Sequence, residues 1–296
     1  MKLRLPATSA NLGSAFDAAA LALNVFLDIE AVAAEKFAIH ATGRDAAACL
    51  SLEKNLILET YTHTLQGQDA RVVPLALTIN NGIPLGMGMG SSAAARLAGI
   101  ALAVQFGRLP WNRESILEEA CRLEGHPDNA AACWLGGFVT ATASGNKVLA
   151  AKFVPPADWR AIVVMPSHPL ATMQARAVLP QQVMRADAVA NLQRSALLTA
   201  AFAQGRGDWL QEAMADRLHQ PYRAELCPLL PRLLPLAGQG GVFGVALSGA
   251  GPSVLLIVQS EAASSEAQLT TRIHARAQES VELLRCSLAA DGAELS

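Results

Sequence analysis

Three long stretches of this sequence contain no Asp, Glu, Lys or Arg, and they restrict what the chain can fold into. They cover residues 72–95, 129–146 and 233–260. An uncharged stretch of about 20 residues is long enough to cross a membrane as a helix. The first and third stretches, however, contain Asn, Gln, Pro and repeated Gly, whose backbone groups could not all be hydrogen-bonded inside lipid. We therefore expect a protein that does not span a membrane.

The composition indicates a folded protein with two domains. Of its 296 residues, 52% are hydrophobic and 16% are charged, where about 25% charged is usual. This combination excludes intrinsic disorder as the main state. A net charge of -2 without a basic run disfavours nucleic acid and anionic membranes as partners. The length suggests two domains, and Pro155-Pro156 is the best boundary, which predicts domains at 1–156 and 157–296.

The cysteines and the first residues predict a cytoplasmic location. The five cysteines are odd in number and form no Cys-x-x-Cys motif, which favours buried, unreactive thiols over disulfides or a zinc site. The opening segment, MKLRLPATSANLG, lacks the apolar core of a signal peptide.

Short apolar runs and amphipathic stretches follow one another irregularly along the chain. We expect strands at 2–7, 27–34, 72–78, 139–143, 148–154, 161–165, 242–247, 253–258 and 281–288. We expect helices at 55–66, 91–106, 112–123, 172–177, 182–204, 208–219, 224–236 and 261–276. Because these elements do not alternate strictly, they predict an α+β fold in both halves.

The strongest local motif is a glycine-rich segment that runs into a predicted helix. Gly86, Gly88 and Gly90 stand at alternate positions and are followed by Ser91, Ser92 and an Ala-rich stretch. Glycines let backbone N–H groups converge, and the first N–H groups of a helix attract an anion such as phosphate. The segment lacks the Lys of a Walker A loop. A flexible turn is the alternative, but the order of glycines, serines and helix favours a phosphate site.

A second motif, Glu124-Gly-His-Pro-Asp-Asn129, follows the helix predicted at 112–123. Glu124 could supply the carboxylate that Mg²⁺ needs beside a phosphate. We expect His126 to form a structural hydrogen bond, because no second His lies near it in the sequence. Asp128 is equally well explained as the N-cap of another helix.

Two further segments are weak indicators on their own. Asn11 and Asp17 lie six residues apart around Gly13 and could face one ligand, although an Asx-turn explains Asn11 equally well. The segment 248–253, SGAGPS, is a second glycine loop between predicted strands, and a tight hairpin explains it as well.

Taken together and in this order, the four segments resemble the GHMP small-molecule kinases, and among them the homoserine kinase branch. The segment PLGMGMGSSAAA is typical of the whole family, whereas PATSANLG, EGHPDN, ARAVLP and PYRAEL are similar to that branch. The resemblance covers nearly the whole chain. It implies a two-domain GHMP kinase architecture, with an N-terminal domain like domain 2 of ribosomal protein S5 and a ferredoxin-like C-terminal domain.

The resemblance also implies ATP as the phosphoryl donor and Mg²⁺ as its metal. Ser91 would contact phosphate, Ser92 and Glu124 would hold Mg²⁺, and Asn55 would lie beside the adenine. The residues that the resemblance implies for the triphosphate are Gly86, Met87, Gly88, Met89, Gly90, Ser91 and Ser92.

L-Homoserine is the substrate that the resemblance implies, with O-phospho-L-homoserine and ADP as products, in threonine biosynthesis. Asn11 and Asp17 match the family's residues on the amine side. Arg176, Arg223 and Thr172 match its carboxylate side, and a guanidinium can bind a carboxylate through two parallel hydrogen bonds.

Asn129 stands where a related branch of the family has a proposed catalytic Asp. An amide cannot accept the proton, so we expect Asn129 to orient the substrate hydroxyl without a dedicated protein base. Family members are commonly dimeric, so the resemblance allows a homodimer, although nothing in the sequence itself decides the oligomeric state.

The sequence departs from the family pattern in three places. Ala15 and Ala20 replace glycines, so a Cβ stands where Gly would allow positive φ, and Met89 replaces Leu. The motif at 124–129 is the short version of a region that is longer in some relatives. Two alternatives stay open: another GHMP kinase with a mevalonate-like or other amino-alcohol substrate, and a non-catalytic binding protein of the same fold.

Overall fold

The structure is a computed structural model that describes residues 1–145, 147–260 and 263–296. The strands are β1 (Lys2–Ala10), β2 (Ala19–Ala33), β3 (Ala38–Gly43), β4 (Leu75–Asn81), β5 (Phe138–Ser144), β6 (Lys147–Phe153), β7 (Trp159–Pro166), β8 (Val242–Leu247), β9 (Val254–Gln259), β10 (Val281–Ser287) and β11 (Glu294–Leu295). The helices are α1 (Ala46–Cys49), α2 (Leu56–Gln66), α3 (Ser91–Gly107), α4 (Arg113–Glu124), α5 (Asp128–Leu135), α6 (Thr172–Ala177), α7 (Arg185–Gln204), α8 (Leu210–Ala213), α9 (Gln220–Arg223), α10 (Leu229–Leu233) and α11 (Ala263–Ala277).

Two sheets form the framework of the molecule. The first has seven strands in the order β11-β1-β2-β4-β3, with β5 paired to β2 and β6 paired to β5. Its β3–β4 pair is parallel, whereas β2 pairs antiparallel with β1, β4 and β5. The second sheet has four antiparallel strands in the order β10-β7-β9-β8. These mixed sheets and helices confirm the predicted α+β class.

The last strand returns to the first sheet. In β11, Leu295 pairs with Leu3 and Glu294 pairs with Arg4 of β1. The end of the chain therefore completes the sheet on which the N-terminal half is built. The domain boundary between 156 and 157 stays a prediction, and β11 lies on the far side of it from the other strands of its sheet.

Two of the three uncharged stretches contain long buried segments. The stretch 129–146 begins within α5, where residues 130–134 are all buried. In the stretch 233–260, β8 and β9 are buried along most of their length. A helix or strand that is enclosed on most sides has no face on which charged residues can stay solvated. Burial therefore explains the shortage of charge in these segments, whereas the stretch 72–95 also has exposed residues such as Thr78, Asn80 and Ser92.

The described part of the chain contains no helix with the length and apolar character that a membrane span requires. The cysteines are free thiols, and Cys121, Cys133 and Cys227 are buried. Burial raises the pKa of the Cys121 thiol to about 12 and that of Cys227 to about 11. These thiols stay protonated at neutral pH, as expected of unreactive cysteines.

The helix predicted at 208–219 is wrong beyond Ala213. A 3-10 turn leads into α8, which ends at Ala213. The carboxylate of Asp216 then accepts the backbone N–H groups of residues 218–220 at distances of 2.6–3.0 Å. A side chain that accepts these N–H groups replaces the carbonyl partners of a continuous helix, so the chain turns instead.

The helix predicted at 224–236 is also wrong as a single element. Only α10 and a 3-10 turn at Leu234–Leu236 form there, because Pro228, Pro231 and Pro235 lack the N–H group that a longer helix needs. The other predicted helices and strands are present with shifted ends. The helix predicted at 261–276 is present from Ala263, and its first two residues lie outside the described residues.

Gly99 lies where α3 packs closely against α2. A Cβ at this position would lie 2.5 Å from the backbone oxygen of Ile57 and 2.7 Å from the Cβ of Thr60. Helix propensity alone would make Gly99→Ala stabilising by about 1 kcal/mol. We predict instead a loss of about 1–3 kcal/mol in the free energy of unfolding, because two packed helices must separate.

Equilibrium urea unfolding measures this change. Ala95→Gly, at a half-buried position of the same helix, is the control and should cost only about 1 kcal/mol of helix propensity. A Gly99→Ala protein that is more stable than the wild type would contradict the close packing of α2 on α3.

Candidate active site

The N-terminus of α3 is left open by the protein. Its N-cap is Gly90, with φ +70, and no side chain of the described residues caps it. By contrast, Asn55 caps α2 and Asn112 caps α4 with their side-chain oxygens. The open end of a helix presents N–H donors and the positive end of the helix dipole. The structure thus places the glycine loop before a helix end that is able to bind an anion.

Close backbone contacts explain the alternating glycines. A Cβ on Gly88 would lie 2.1 Å from the backbone oxygen of Ser248, and a Cβ on Gly90 would lie 1.9 Å from Thr8 Oγ1. The Ser248 hydroxyl donates to the backbone oxygen of Gly88 at 2.7 Å. The segment 248–253 is therefore the hairpin turn between β8 and β9 and, in addition, the support on which the glycine loop rests.

The other loop residues differ in what they expose. Met89 is buried at 1% exposure, and its backbone oxygen accepts the N–H of Thr8 at 3.1 Å. Met87 is half-buried and packs against the core. Gly86 approaches Pro169, which a Cβ would meet at 2.9 Å. The loop therefore offers its backbone to a ligand, while the methionine side chains anchor it.

Ser92, Arg96 and Glu124 meet at the start of α3. Ser92 and Arg96 are four residues apart, so they share one face of the helix. Ser92 Oγ donates to Glu124 Oε1 at 2.7 Å, and Arg96 Nε lies 2.6 Å from the same oxygen. A hydroxyl and a carboxylate are hard oxygen ligands of the kind that Mg²⁺ accepts together with phosphate oxygens and water. These residues fit the metal that the sequence resemblance implies.

The residues after Glu124 form a hydrogen-bonded group at the start of α5. Asp128 Oδ1 lies 2.7 Å from His126 Nδ1 and accepts the backbone N–H of Asn129 at 2.6 Å. Thr8 Oγ1 donates to Asn129 Oδ1 at 2.6 Å. The N-cap of α5 is Pro127, so Asp128 is not the N-cap but the first helical residue.

Asp17, His126 and Asp128 form a second candidate for a metal site. Their ligand atoms lie within 4.8 Å of one another. Burial lowers the pKa of His126, but the hydrogen bond and charge of Asp128 and the charge of Asp17 outweigh it and raise this pKa above its ordinary value. Asp17 already pairs with Arg176, and Asp128 Oδ1 already contacts His126 Nδ1 and accepts the N–H of Asn129. Glu124 is likewise paired, with Arg96, but Ser92 and Glu124 lie at the open N-terminus of α3, where a phosphate would supply further oxygen ligands. We therefore prefer Ser92 with Glu124 as the metal site.

Asp17 lines the cleft from the loop after β1. Its backbone has φ +55, and its N–H donates to Asn11 Oδ1 at 2.9 Å. Asn11 Nδ2 donates in turn to the backbone oxygen of Gly249 at 2.8 Å. Arg176 binds the Asp17 carboxylate with two hydrogen bonds, at 2.6 and 3.0 Å. Asn11 thus fixes the position of Asp17, which in turn faces a guanidinium.

Arg223 reaches the cleft from α9 and is only 1% exposed. Its Nε donates to the backbone oxygen of Ala175 at 2.9 Å, and its Nη1 lies 3.0 Å from His219 Nδ1. His219 Nε2 lies 2.8 Å from the backbone oxygen of Gly13. Because a carbonyl only accepts and a guanidinium only donates, His219 is neutral and carries its proton on Nε2. Burial lowers the pKa of His219 and outweighs the opposing charge of Asp216, whose Oδ2 lies 3.6 Å from Nε2, while the Arg223 charge lowers this pKa further.

The alanines that replace family glycines fit without strain. Ala15 and Ala20 are buried, at 2% and 0% exposure. Positive φ in this region belongs to Asn11, Leu12, Gly13 and Asp17. Neither alanine occupies a backbone conformation that requires glycine, so the extra Cβ atoms pack into the core.

A cleft of about 590 Å³ is lined by the glycine loop and by most of the predicted site residues: Asn11, Asp17, Glu124, Asn129, Arg176, Arg223 and Thr172, the first residue of α6. A smaller cavity of about 230 Å³ shares Ser91 and Ser92 with the cleft and includes Asn55. Asn55 caps α2 and donates to the backbone oxygen of Cys49 at 3.0 Å, so its amide shapes the cavity wall.

The structure adds two residues to the cleft region that sequence reasoning missed. Thr8 lies in β1 and is joined to Asn129 only by the fold, so no sequence signal marks it. Arg96 lines the cleft and has a local signal, because it follows Ser92 by one helical turn.

The neutral state of His219 predicts a loss of stability in acid. Below about pH 6.5 the unfolded chain protonates this imidazole while the folded chain does not, so the free energy of unfolding falls as pH falls. The slope is at most about 1.4 kcal/mol per pH unit. We predict that the wild type loses about 1 kcal/mol more than His219→Gln between pH 6.5 and 5.5.

Urea unfolding of both proteins at pH 7.5, 6.5 and 5.5 measures this difference. The other titrating groups, including His126, are common to both proteins, so they largely cancel in the comparison. A difference between wild type and variant that does not change with pH would contradict the assignment of a neutral His219.

Comparisons with known proteins identify the family to which the chain belongs. Residues 55–137 match the family described as GHMP kinases N terminal domain, and residues 198–272 match GHMP kinases C terminal. The chain is 43% identical over 295 residues to a homoserine kinase of Solibacter usitatus, covering 99% of this chain and 96% of the relative.

Solved structures share the fold at lower identity. The crystal structure of homoserine kinase from Cytophaga hutchinsonii superposes with a TM-score of 0.81 at 23% identity, over 99% of this chain and 96% of that one. The L. major mevalonate kinase in complex with R-mevalonate has a TM-score of 0.72 at 14% identity, over 97% and 95% of the two chains. The chain described here belongs to the GHMP kinase family and, within it, to the homoserine kinases.

Proposed function

We propose that this chain transfers the terminal phosphoryl group of ATP to the hydroxyl of L-homoserine, giving O-phospho-L-homoserine and ADP. The observation that carries the proposal is the Asp17–Arg176 ion pair, which lies in the same cleft as the open N-terminus of α3. One wall of the cleft is suited to an amino acid, and the other is suited to phosphates.

A zwitterion is the natural partner of a paired carboxylate and guanidinium. The α-ammonium group of homoserine would replace the guanidinium at Asp17, and its α-carboxylate would replace Asp17 at Arg176. Arg223 lines the same cleft and adds positive charge on the carboxylate side. A sugar or an isoprenoid acid has no ammonium group, so it would leave Asp17 without a cation. This exchange of partners favours an amino acid.

The phosphate side is built from backbone groups and few charges. The triphosphate would lie on residues 86–92 with its oxygens near the first N–H groups of α3, and the nucleobase would lie in the smaller cavity beside Asn55. Ser92 and Glu124 would hold Mg²⁺, which neutralises charge on the phosphates when bound.

Asn129 is the residue that we assign to the substrate hydroxyl. Its Oδ1 accepts the Thr8 hydroxyl, and its Nδ2 donates one hydrogen to Asp128 Oδ1 at 3.4 Å. The second Nδ2 hydrogen would donate to the substrate hydroxyl oxygen and fix the direction of attack. Phosphoryl transfer proceeds through a loose transition state in which positioning and charge neutralisation contribute most. The proposal therefore includes no protein group that removes the hydroxyl proton.

The two alternatives make different demands on the site. A non-catalytic binding protein would not need a carboxylate that holds a metal. Here the glycine loop is complete, and Ser92 at its end donates a hydrogen bond to Glu124. A kinase for a mevalonate-like acid has no use for Asp17. The homodimer and the cytoplasmic location stay predictions.

The substrate assignment predicts a clear order of activities. In a coupled assay of ADP release, we expect turnover with L-homoserine, weaker turnover with L-threonine and none with mevalonate. Asp17→Asn should raise the KM for homoserine about 10-fold or more, since it loses a charge-assisted contact to the ammonium group. Turnover of mevalonate, or an unchanged KM in Asp17→Asn, would contradict the assignment.

The roles of Glu124 and Asn129 predict the order of two further defects. Glu124→Ala removes the metal carboxylate and should lower kcat about 10²–10³-fold, as losing one strong electrostatic contact does. Asn129→Ala loses only orientation of the nucleophile and should lower kcat less. Steady-state kinetics at saturating ATP and Mg²⁺ measure both, and the opposite order would refute these roles.

A further inference from the structure

Arg96 is the one arginine of the cleft wall whose present partner is a residue assigned to the metal. It follows Ser92 by one turn of α3, and its Nε lies 2.6 Å from Glu124 Oε1. Its side chain is 27% exposed and lines the cleft together with the glycine loop. The simpler explanation is that Arg96 forms a structural ion pair with Glu124. The geometry of that contact distinguishes this explanation from a role in binding a ligand.

The ion pair with Glu124 engages only part of the hydrogen-bonding capacity of the Arg96 guanidinium. Arg96 Nε is buried but has no aligned hydrogen-bond partner among the described residues, although Glu124 Oε1 is close to it. The same oxygen already accepts the Ser92 hydroxyl at 2.7 Å. A guanidinium has five N–H donors in a rigid fork and binds best to two oxygens of one group. The contact with Glu124 does not provide this geometry.

The charges of the cleft point to a different partner. The glycine loop contains no Lys, so its own contribution to a bound triphosphate is limited to N–H groups and the helix dipole. Of the other two arginines, Arg176 holds the Asp17 carboxylate and Arg223 is bonded to Ala175 and His219. Among the described residues that line the cleft, Arg96 is the arginine beside the start of α3.

We propose that Arg96 binds the terminal phosphate of ATP, exchanging Glu124 for two phosphate oxygens when the nucleotide is bound. This assignment rests on ATP being the donor, as proposed above. Two oxygens of one phosphate match the guanidinium fork, and a positioned arginine stabilises the charge of a transferring phosphoryl group. In the free protein, Glu124 neutralises Arg96 and keeps it beside Ser92.

Nucleotide titration separates this role from a structural one. Isothermal titration with AMP-PNP and with ADP should show that Arg96→Met weakens AMP-PNP binding about 10-fold or more and ADP binding less than about 3-fold, because only AMP-PNP has the terminal phosphate. Homoserine is absent from these titrations, so their result does not depend on whether homoserine is the acceptor substrate.

The same titration in a Glu124→Gln background tests whether Arg96 acts directly. Arg96→Met leaves Glu124 unpaired, and its charge would by itself repel a phosphate. Glu124→Gln removes that charge, and EDTA removes any contribution from metal. We expect Arg96→Met to weaken AMP-PNP binding about 10-fold in this background too. No effect of Arg96→Met there would overturn the proposal and leave Arg96 as the counter-ion of Glu124.

Two control variants show whether the effect is specific to the guanidinium of Arg96. Arg122→Met removes an exposed arginine that pairs with Glu119 on α4, and it should change neither affinity. Arg96→Lys keeps the charge but loses the fork, so it should retain part of the preference for AMP-PNP, and it provides a second reading if Arg96→Met melts early by circular dichroism. Equal weakening of ADP and AMP-PNP in both Arg96 variants would also overturn the proposal.

Discussion

The contact between the glycine loop and the turn at 248–253 holds the site together. Ser248 bonds the backbone of Gly88, the N–H of Gly249 donates to Ala10 at 3.1 Å, and Asn11 bonds the oxygen of Gly249. The turn belongs to the second sheet, whereas β1 and the loop belong to the first half of the chain. These contacts hold the glycine loop in the cleft that also contains Arg176 and Arg223. They require glycine at position 88, where a Cβ would lie 2.1 Å from the backbone oxygen of Ser248.

Four charged side chains of the cleft form two ion pairs, and in each pair a bound ligand could replace one partner. Asp17 pairs with Arg176 and Glu124 pairs with Arg96. Asp17 and Arg176 are 31% and 38% exposed, so water screens their attraction and breaking the pair costs little. A zwitterionic substrate offers each partner a new opposite charge. These four charges are therefore paired in the free protein, whereas Arg223 contacts the neutral groups of Ala175 and His219. In the proposed complex, each of the four would meet an opposite charge of a ligand.

Local features of the fold could be predicted from the sequence, and features that depend on distant contacts could not. The glycine loop and α3 were predictable because alternating glycines, paired serines and an Ala-rich run act within one segment. The break after Ala213 depends on the side chain of Asp216, and the pairing of β11 depends on the whole sheet. In the site, the sequence motifs identified most of the candidate residues. They did not show that Asn55 caps α2 or that Arg96 lies beside Glu124, and these two facts required the structure.

A crystal structure of the protein with AMP-PNP, Mg²⁺ and L-homoserine bound would test whether the cleft binds phosphates at residues 86–92 and an amino acid at Asp17, Arg176 and Arg223. We predict the α-carboxylate on Arg176 and Arg223, the ammonium group on Asp17, and the hydroxyl between Asn129 and the terminal phosphate. A homoserine carboxylate bound away from both arginines, or a triphosphate that does not contact residues 86–92, would contradict this description of the site.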